Sequence, residues 1–560
     1  MKESFLPRTC EALVVEKMKK CILDSSSKYQ VGGQPGHSPE EHIFTVKSVW
    51  AMLEKENRGM IITLVDIIAF FDREDIYDVM QTLHTIGVNK KAARVWYKLN
   101  EGTEISVKTA SGLTETAHVG DCIGQGTAGG ALVSQANLDH GLTEYFENSQ
   151  DEIQYGKVKL NPLAYQDDIL KGSKGVLEAQ VGNIRLATML ESKGLEAHPD
   201  KTGYILIKGG KKDVSKMEKE LKLNPLKFGD FYMSRKIQDK YLGQILHQDG
   251  LAASVAATVA EKAGKFKGAV FEIRSVVEEY SMQTMGSMMA AKTLLERALL
   301  PSLLAGAGNW TGISKKTEEE CDNLILMFWR VLYKIPESTP RIGIFAETAT
   351  LRTKWRVWKD KILLVRRLQQ QDSSSLSRRV YETQLRLGLP GLAREVSEIC
   401  NKVKIPNINF SNVKTEKIEE NIFYHHYSDM KELIKSCKKM SRIQHEDFRR
   451  EQDYMHDKSI DSSRTQLRVR LEMLETFKDN YRSKYRTLER GQEDRDPGLL
   501  CGDCGLTRDT QSHCLTCPAW AEDRDRLDLD CIEDLVKYFQ RVLRGREDKA
   551  RKARRREDKE

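Results

Sequence analysis

The chain has 560 residues, enough for two to four domains, each with a core of its own. Charged residues make up 31% against 40% hydrophobic, and no apolar run is long enough to span a bilayer as a helix, so no membrane partner is expected. Lys and Arg number 89 against 82 Asp and Glu, and the resulting +7 points to nucleic acid only where the positive charge is clustered.

Glu11 to Ile22 carries apolar residues at helical spacing, and the Gly- and Pro-rich stretch from Tyr29 to Pro39 reads as a loop. Ser38 is placed to cap a helix with Pro39 at its first position, Glu40 and Glu41 in its first turn, and an end near Glu56. Gly59 to Ile68 is a near-continuous apolar, β-branched run broken by one carboxylate, the pattern of a buried central strand. Asp66 near the end of such a strand is costly unless a metal or a positive group meets it. A helix is expected to start at Asp72 and Glu74-Asp75, and Glu104 to His118 reads as strands around a Ser111-Gly112 turn. Gly120 to Gly130 is too rich in glycine for packing alone; it permits close approach of a ligand or another backbone before a helix from about Ala131 to Glu147.

Leu163 to Leu170 places Asp167 and Asp168 between short apolar arms, Val158–Ala164 and Ile169–Leu170, which reads as strand, tight turn, strand. Two like charges at a turn need water or a cation, and a divalent metal neutralises them best; a solvated Asp-Asp turn is the plain alternative. A helix from about Val176 to Lys193 and a strand from Gly203 to Lys208 complete an α+β order that can bring Asp66 and Asp167 onto neighbouring strands. Paired carboxylates beside a Gly-rich loop suit two-metal phosphoryl transfer.

Residues from about 30 to 250 resemble the reverse transcriptase domain of non-LTR (LINE-type) retrotransposons. Asp66-Ile67-Ile68-Ala69-Phe70-Phe71-Asp72 resembles the first palm motif, Gln125-Gly126 the second, and Tyr165-Gln166-Asp167-Asp168 the Tyr-x-Asp-Asp box. Gly194-Leu195 with Lys201-Thr202 resembles the fourth motif, and Tyr241-Leu242-Gly243 the primer grip. The resemblance implies Asp66, Asp167 and Asp168 as catalytic residues, with Asp66 and Asp167 the main ligands of two Mg²⁺ ions. It implies that Phe71, Gln125, Gly126, Tyr165, Gln166 and Lys201 contact substrate, with Phe71 excluding a ribose 2′-hydroxyl. Gln166 and Ala69 depart from the family pattern, where a small residue and Lys are usual. The motifs begin inside the fingers and leave no room for an N-terminal endonuclease, so the chain reads as the later part of a longer polyprotein or a decayed copy.

From Leu251 to about Trp310 the pattern is helical and resembles the family's thumb. Leu351 to Gln370 interleaves seven Arg and Lys residues with Trp355 and Trp358, suited to following a phosphate backbone or to lying as a solvated basic helix. Residues 371–490 read as a hinge at Asp372–Ser375 followed by charged amphipathic helices. Of the 11 cysteines, Cys501, Cys504, Cys514 and Cys517 crowd together, a pattern of reduced thiols with one metal site. Cys501, Cys504, His513 and Cys517 form C-x2-C-x8-H-x3-C, suited to one Zn²⁺, with Cys514 an alternative to His513. The segment resembles the zinc knuckle after the polymerase in LINE-type proteins. The Lys/Arg-rich tail from Arg541 reads as disordered or as a frayed helix, available to nucleic acid or as a nuclear import signal.

The expected architecture is an α+β right-hand polymerase palm, an antiparallel sheet with helices, followed by a helical thumb, a helical C-terminal region and a small zinc knuckle. The expected divisions are partial fingers at 1–58, palm at 59–250, thumb at 251–345, helical connector at 346–490, CCHC zinc knuckle at 491–535 and basic tail at 536–560. The expected function is RNA-directed DNA polymerisation, extending a DNA 3′ end on an RNA template with deoxynucleoside triphosphates, in nucleus and cytoplasm. The alternative is a catalytically inactive relic that only binds nucleic acid.

Overall fold

The computed structural model describes residues 5–34, 36–102, 104–118, 123, 127, 129–147, 153–160, 162–279, 288–405, 410–437, 440, 443–456, 460–471, 473, 500–507, 509–529 and 532–557. The chain divides into two compact units that do not follow chain order. Unit 1 comprises Met1–Thr258, Gly306–Ser314 and Val357–Thr415; unit 2 comprises Val259–Ala305, Lys315–Arg356 and Glu416–Glu560.

Unit 1 is built on a five-stranded sheet in the order Ser234–Arg235, Gly203–Ile207, Met60–Val65, Asp168–Ser173, Leu163–Tyr165. All pairings are antiparallel except the first, which is parallel. The continuous apolar run of Met60–Val65 follows from its place at the centre, because every residue of this strand is buried. Ile61 and Val65 join a core with Leu138, Leu142, Leu186 and Leu190 from the helices Gly130–Glu147 and Val176–Ser192. On the opposite face, Met60, Ile62, Leu170 and Gly172 meet Thr45, Val46 and Val49 of the helix Pro39–Lys55 around a small apolar cavity. With helices on both faces, alternation disappears from the strand.

The helix Pro39–Lys55 starts at the expected cap, where the Ser38 amide donates to Glu41 Oε1 at 3.0 Å. The expected arm Val158–Ala164 is split in two. Val158–Leu160 pairs with Ile153–Tyr155 in a separate hairpin, and only Leu163–Tyr165 pairs with the Asp168 strand. Pro162, without an amide hydrogen, sits at this break and cannot continue a ladder.

Unit 2 is largely helical, with Met288–Leu294, Lys315–Tyr333, Arg341–Glu347 and Ile460–Arg470 among its helices. Its centre carries a buried ion pair. Arg470 Nε and Nη2 reach Glu347 Oε2 and Oε1 at 2.7 and 3.1 Å, and the Tyr454 hydroxyl donates to Glu347 Oε2 at 2.7 Å. Burial raises the Glu347 carboxyl above its usual range, and the Arg470 charge opposes that rise.

In the basic helix Thr353–Gln370 and at Arg352 just before it, five of the seven cations are engaged within the fold. Within unit 2, Arg352 pairs with Asp322 at 3.1 Å and Arg356 with Glu296 at 3.3 Å, and Trp355 is buried. Within unit 1, Lys361 pairs with Glu395 at 2.7 Å, Arg367 with Glu40, and Arg366 Nε donates to the Val413 carbonyl at 2.7 Å. These cations are consumed by internal acids and carbonyls, which periodicity alone does not reveal. From Arg541 the C-terminal tail continues the helix Ile532–Glu557, the helical one of the two expected forms. Among the described residues, no helix is long and apolar enough to cross a membrane.

Candidate functional site

The antiparallel register opposes Val65 to Ile169 and Tyr165 to Asp168. Continuing the first register by one pair sets Asp66 opposite Asp168, with Asp167 in the turn beside it. Two residues, Gln166 and Asp167, make the turn, and Gln166 takes a left-handed backbone at φ 56°. A two-residue hairpin needs such a residue, and for a non-glycine it carries strain that its surroundings must offset.

Those surroundings come from the loop before the helix Pro39–Lys55. Val31 N donates to the Ala164 carbonyl and Ala164 N to the Tyr29 carbonyl, at 3.3 and 2.9 Å. Between them, Gln30 is completely buried; its Nε2 donates to the Gln166 carbonyl at 3.1 Å, and its Oε1 accepts from Gln166 N at 3.0 Å and Gly32 N at 3.2 Å. One amide side chain thus satisfies both backbone groups of the strained turn residue. A Cβ on Gly32 would lie 2.6 Å from Gln166 N, so only glycine permits this approach. Sequence reading took Tyr29–Pro39 as a loop and missed Gln30. The available signal was a Gln flanked by Tyr29 and Val31 ahead of Gly32-Gly33, an apolar setting unusual for a surface loop.

The carboxylates interact. Partial desolvation, then Asp167, then Asp66 push Asp168 up to about 6, although its side chain reaches solvent. Asp167 is also raised, by burial first and by Asp66 after it. Asp66 is held by its backbone: its amide donates to Thr202 Oγ1 at 3.2 Å, and its carbonyl accepts from His198 N at 2.8 Å. Lys201 Nζ lies 3.2 Å from Asp66 Oδ1. Both side chains are well exposed, so this pair contributes little stability. The carboxylate oxygens that together raise Asp168 are a hard, oxygen-only donor set of the kind Mg²⁺ takes. In donor chemistry, the site residues suit a divalent metal.

Of the other predicted contacts, Tyr165 is half-buried and lies edge-on to His42 with ring centroids 6.3 Å apart. Tyr241 is buried, and its hydroxyl is 3.5 Å from His42 Nδ1. Burial, and then the Asp168 charge, raise the Tyr241 phenol well above its usual value. His42, which sequence reading did not single out, therefore stands between Tyr165 and Tyr241. Leu242 and Gly243 form the turn between Gln238–Tyr241 and Gln244–His247, both left-handed at φ 47° and 78°. Phe70 is buried, whereas Phe71 is half-buried against two apolar clusters, its ring 5.2 Å from that of Phe70. Gln125 and Gly126 lie outside the described residues.

In unit 2, the ligand atoms of Cys501, Cys504, His513 and Cys517 all lie within 4.8 Å of one another. Cys501 Sγ is 3.9 Å from Cys517 Sγ, and Cys504 Sγ is 3.3 Å from His513 Nε2. A tetrahedral zinc shell requires S–S edges of ~3.7 Å and S–N edges of ~3.5 Å, so the donor set fits Zn²⁺. Thr507 Oγ1 lies 2.8 Å from His513 Nδ1, which leaves Nε2 for a metal. Cys514 is not in this cluster. It is buried among Leu535, Phe539 and Val542, and burial pushes its thiol up to about 12. Adjacent residues of a helical turn point in different directions, and here His513 faces the cluster while Cys514 faces the core.

No protein-family model matches the chain. No curated protein matches it. Among solved structures it is similar to telomerase from Candida albicans in complex with a fragment of telomeric RNA. There the identity is 13% and the TM-score 0.36, covering 60% of this chain and 56% of that one. It is also similar to apo telomerase from Candida tropicalis, at 12% identity and a TM-score of 0.34, covering 74% of this chain and 61% of that one. The same telomerase in complex with a telomeric RNA fragment gives 10% and 0.32, covering 75% and 57%. The chain thus spans between about half and two thirds of the length of these telomerase chains.

Proposed function

We propose that the chain is a reverse-transcriptase-type RNA-directed DNA polymerase of a non-LTR retroelement, with its active site on Asp66, Asp167 and Asp168. The observation that carries this reading is the register that sets Asp66 against the Asp167-Asp168 turn. Two Mg²⁺ ions held there, chiefly by Asp66 and Asp167, supply activation of a primer 3′-hydroxyl and neutralisation of the departing pyrophosphate. The chain's own groups do the rest. Gln30 and Gly32 hold the turn, Lys201 offers its charge to the triphosphate, Phe71 selects the deoxyribose, and Gln125 and Gly126 approach the substrate. Tyr241, Leu242 and Gly243 seat the primer end. In unit 2, Cys501, Cys504, His513 and Cys517 hold one Zn²⁺ that folds the segment around them. The protein acts on an RNA template and a DNA primer in nucleus and cytoplasm.

The test is primer extension on poly(rA)/oligo(dT) with Mg²⁺, with Asp167→Asn as control. Extension by the parent and none by the variant supports the reading. Template binding without extension by the parent overturns it in favour of a protein that only binds nucleic acid.

A further inference from the structure

The sequence separates the Cys/His cluster from the basic tail, but the structure joins them through one guanidinium. Arg546 of the helix Ile532–Glu557 donates from Nε to Asp503 Oδ2 at 2.6 Å, and from Nη2 and Nη1 to the two oxygens of Asp509 at 2.9 and 3.3 Å. Its Nη2 also lies 3.6 Å from Cys501 Sγ. Asp503 sits inside the Cys501–Cys504 turn and Asp509 between the two ligand pairs, and both side chains are almost fully buried. Asp503 accepts further from Trp520 Nε1 at 3.0 Å and Lys549 Nζ at 2.9 Å.

The helix is also packed from its other turns. Leu535, Val536, Tyr538, Phe539 and Val542 share one apolar cluster with Cys514, and the Tyr538 hydroxyl donates to the Cys514 carbonyl at 2.6 Å. A Cβ on Gly545 would lie 2.5 Å from Trp520 Cη2, so the glycine lets the indole lie against the helix.

We propose that the C-terminal helix is the outer wall of the zinc site and stays docked only while metal is bound, with Arg546 as the positioning residue that links them. This rests on the zinc reading above. Three thiolates and a neutral imidazole around Zn²⁺ leave one net negative charge, and Arg546 supplies the compensating positive charge at Cys501 Sγ. Conversely, the metal holds the 501–517 loop in the shape that presents Asp503 and Asp509 to Arg546. A loop this short, with Leu506 exposed and Gly502 and Gly505 within it, has little apolar area to keep that shape alone. When the metal leaves, the half-buried guanidinium loses fixed partners, which is unfavourable. The exposed Arg544, Arg551 and Lys552 are therefore held in fixed register to the metal site and are released with it.

The test is hydrogen exchange and zinc titration on the full chain. Chelation is expected to speed exchange of amides 534–549 at least roughly tenfold while leaving the strand Met60–Val65 unchanged, with zinc restoring the slow rate. Arg546→Ala is expected to keep one zinc, bind it about 10–100-fold more weakly and exchange fast in this helix even with zinc bound. Asp509→Asn, which keeps the side-chain volume, gives the same change in smaller measure should Arg546→Ala fail to fold. Arg541→Ala, which removes the exposed pair with Asp523, is expected to change neither. A parent that binds no zinc removes the zinc reading and this inference together. A parent that binds zinc, with unchanged exchange on chelation or unchanged affinity in Arg546→Ala and Asp509→Asn, overturns this inference alone.

Discussion

The carboxylate turn of unit 1 and the Cys/His cluster of unit 2 are both candidate sets of metal ligands, assembled in opposite ways. The four cluster residues fall within 17 positions, from Cys501 to Cys517. Any loop that closes on a metal brings them together, so spacing alone carries the geometry. Asp66 and Asp168 are about a hundred positions apart and meet because two strands pair in one register. A slip of one residue would turn the carboxylates to opposite faces. A local site of this kind would depend on its ion, and a long-range one depends on the core that sets the register.

The comparison breaks first at the largest expected effect. Asp66→Asn and Asp167→Asn are each expected to lower Mg²⁺-dependent extension by at least about a thousandfold with template affinity unchanged. Steady-state kinetics alongside a filter-binding assay would check it, and parallel loss of binding would place these residues in the fold instead of the chemistry. Next, His513→Ala should abolish stoichiometric zinc while Cys514→Ser retains it, as read by metal analysis. The converse result would mean that the local spacing had misled in the one place where it offered two answers.

Smaller effects sharpen the comparison. Phe70→Ala should destabilise unit 1 by about 3–5 kcal/mol, because its ring is buried. Phe71→Ala should relax selection against ribonucleotides by about tenfold or more, near 1.4 kcal/mol. Competition between dNTP and rNTP measures this, and unchanged preference in an active variant would move the gate elsewhere.

The pH dependence is smallest. Asp168 is raised to about 6 in the fold, against about 3.9 for a free Asp. A raised carboxyl favours the fold below about pH 4, and that contribution is lost as pH rises through 6. Without Mg²⁺, thermal stability should therefore fall across this window more in the parent than in Asp168→Asn, and Mg²⁺ should reduce the difference. Glu74 and Asp139, raised to about 8 and about 6 chiefly by burial, act in the same direction in both proteins and cancel. Equal pH profiles would show that the carboxylates do not feel one another.

Much of unit 1 was legible. The apolar run at 60–65, the Ser38 cap and the carboxylate hairpin each state their structure through composition and a few strong turn or cap residues. Less legible was whatever depends on a distant partner. Arg352, Arg356 and Lys361 look free until Asp322, Glu296 and Glu395 arrive from elsewhere in the chain. Gln30 looks like a loop residue until the Gln166 turn arrives beneath it.

By itself the amino-acid sequence determined which residues are candidates for chemistry: hard carboxylates at one turn and soft thiolates at another, each costly to place together without a cation. Periodicity and turn chemistry, which act over a few residues, determined most of the elements around them. Only the tertiary structure decided that Gln30 braces the hairpin, that His513 and not Cys514 faces the cluster, and that the basic tail is a helix pinned by Arg546. The physical reason is range. Propensity and spacing act along the chain, whereas the partner that satisfies a buried amide or guanidinium is chosen by packing between segments that the sequence keeps far apart.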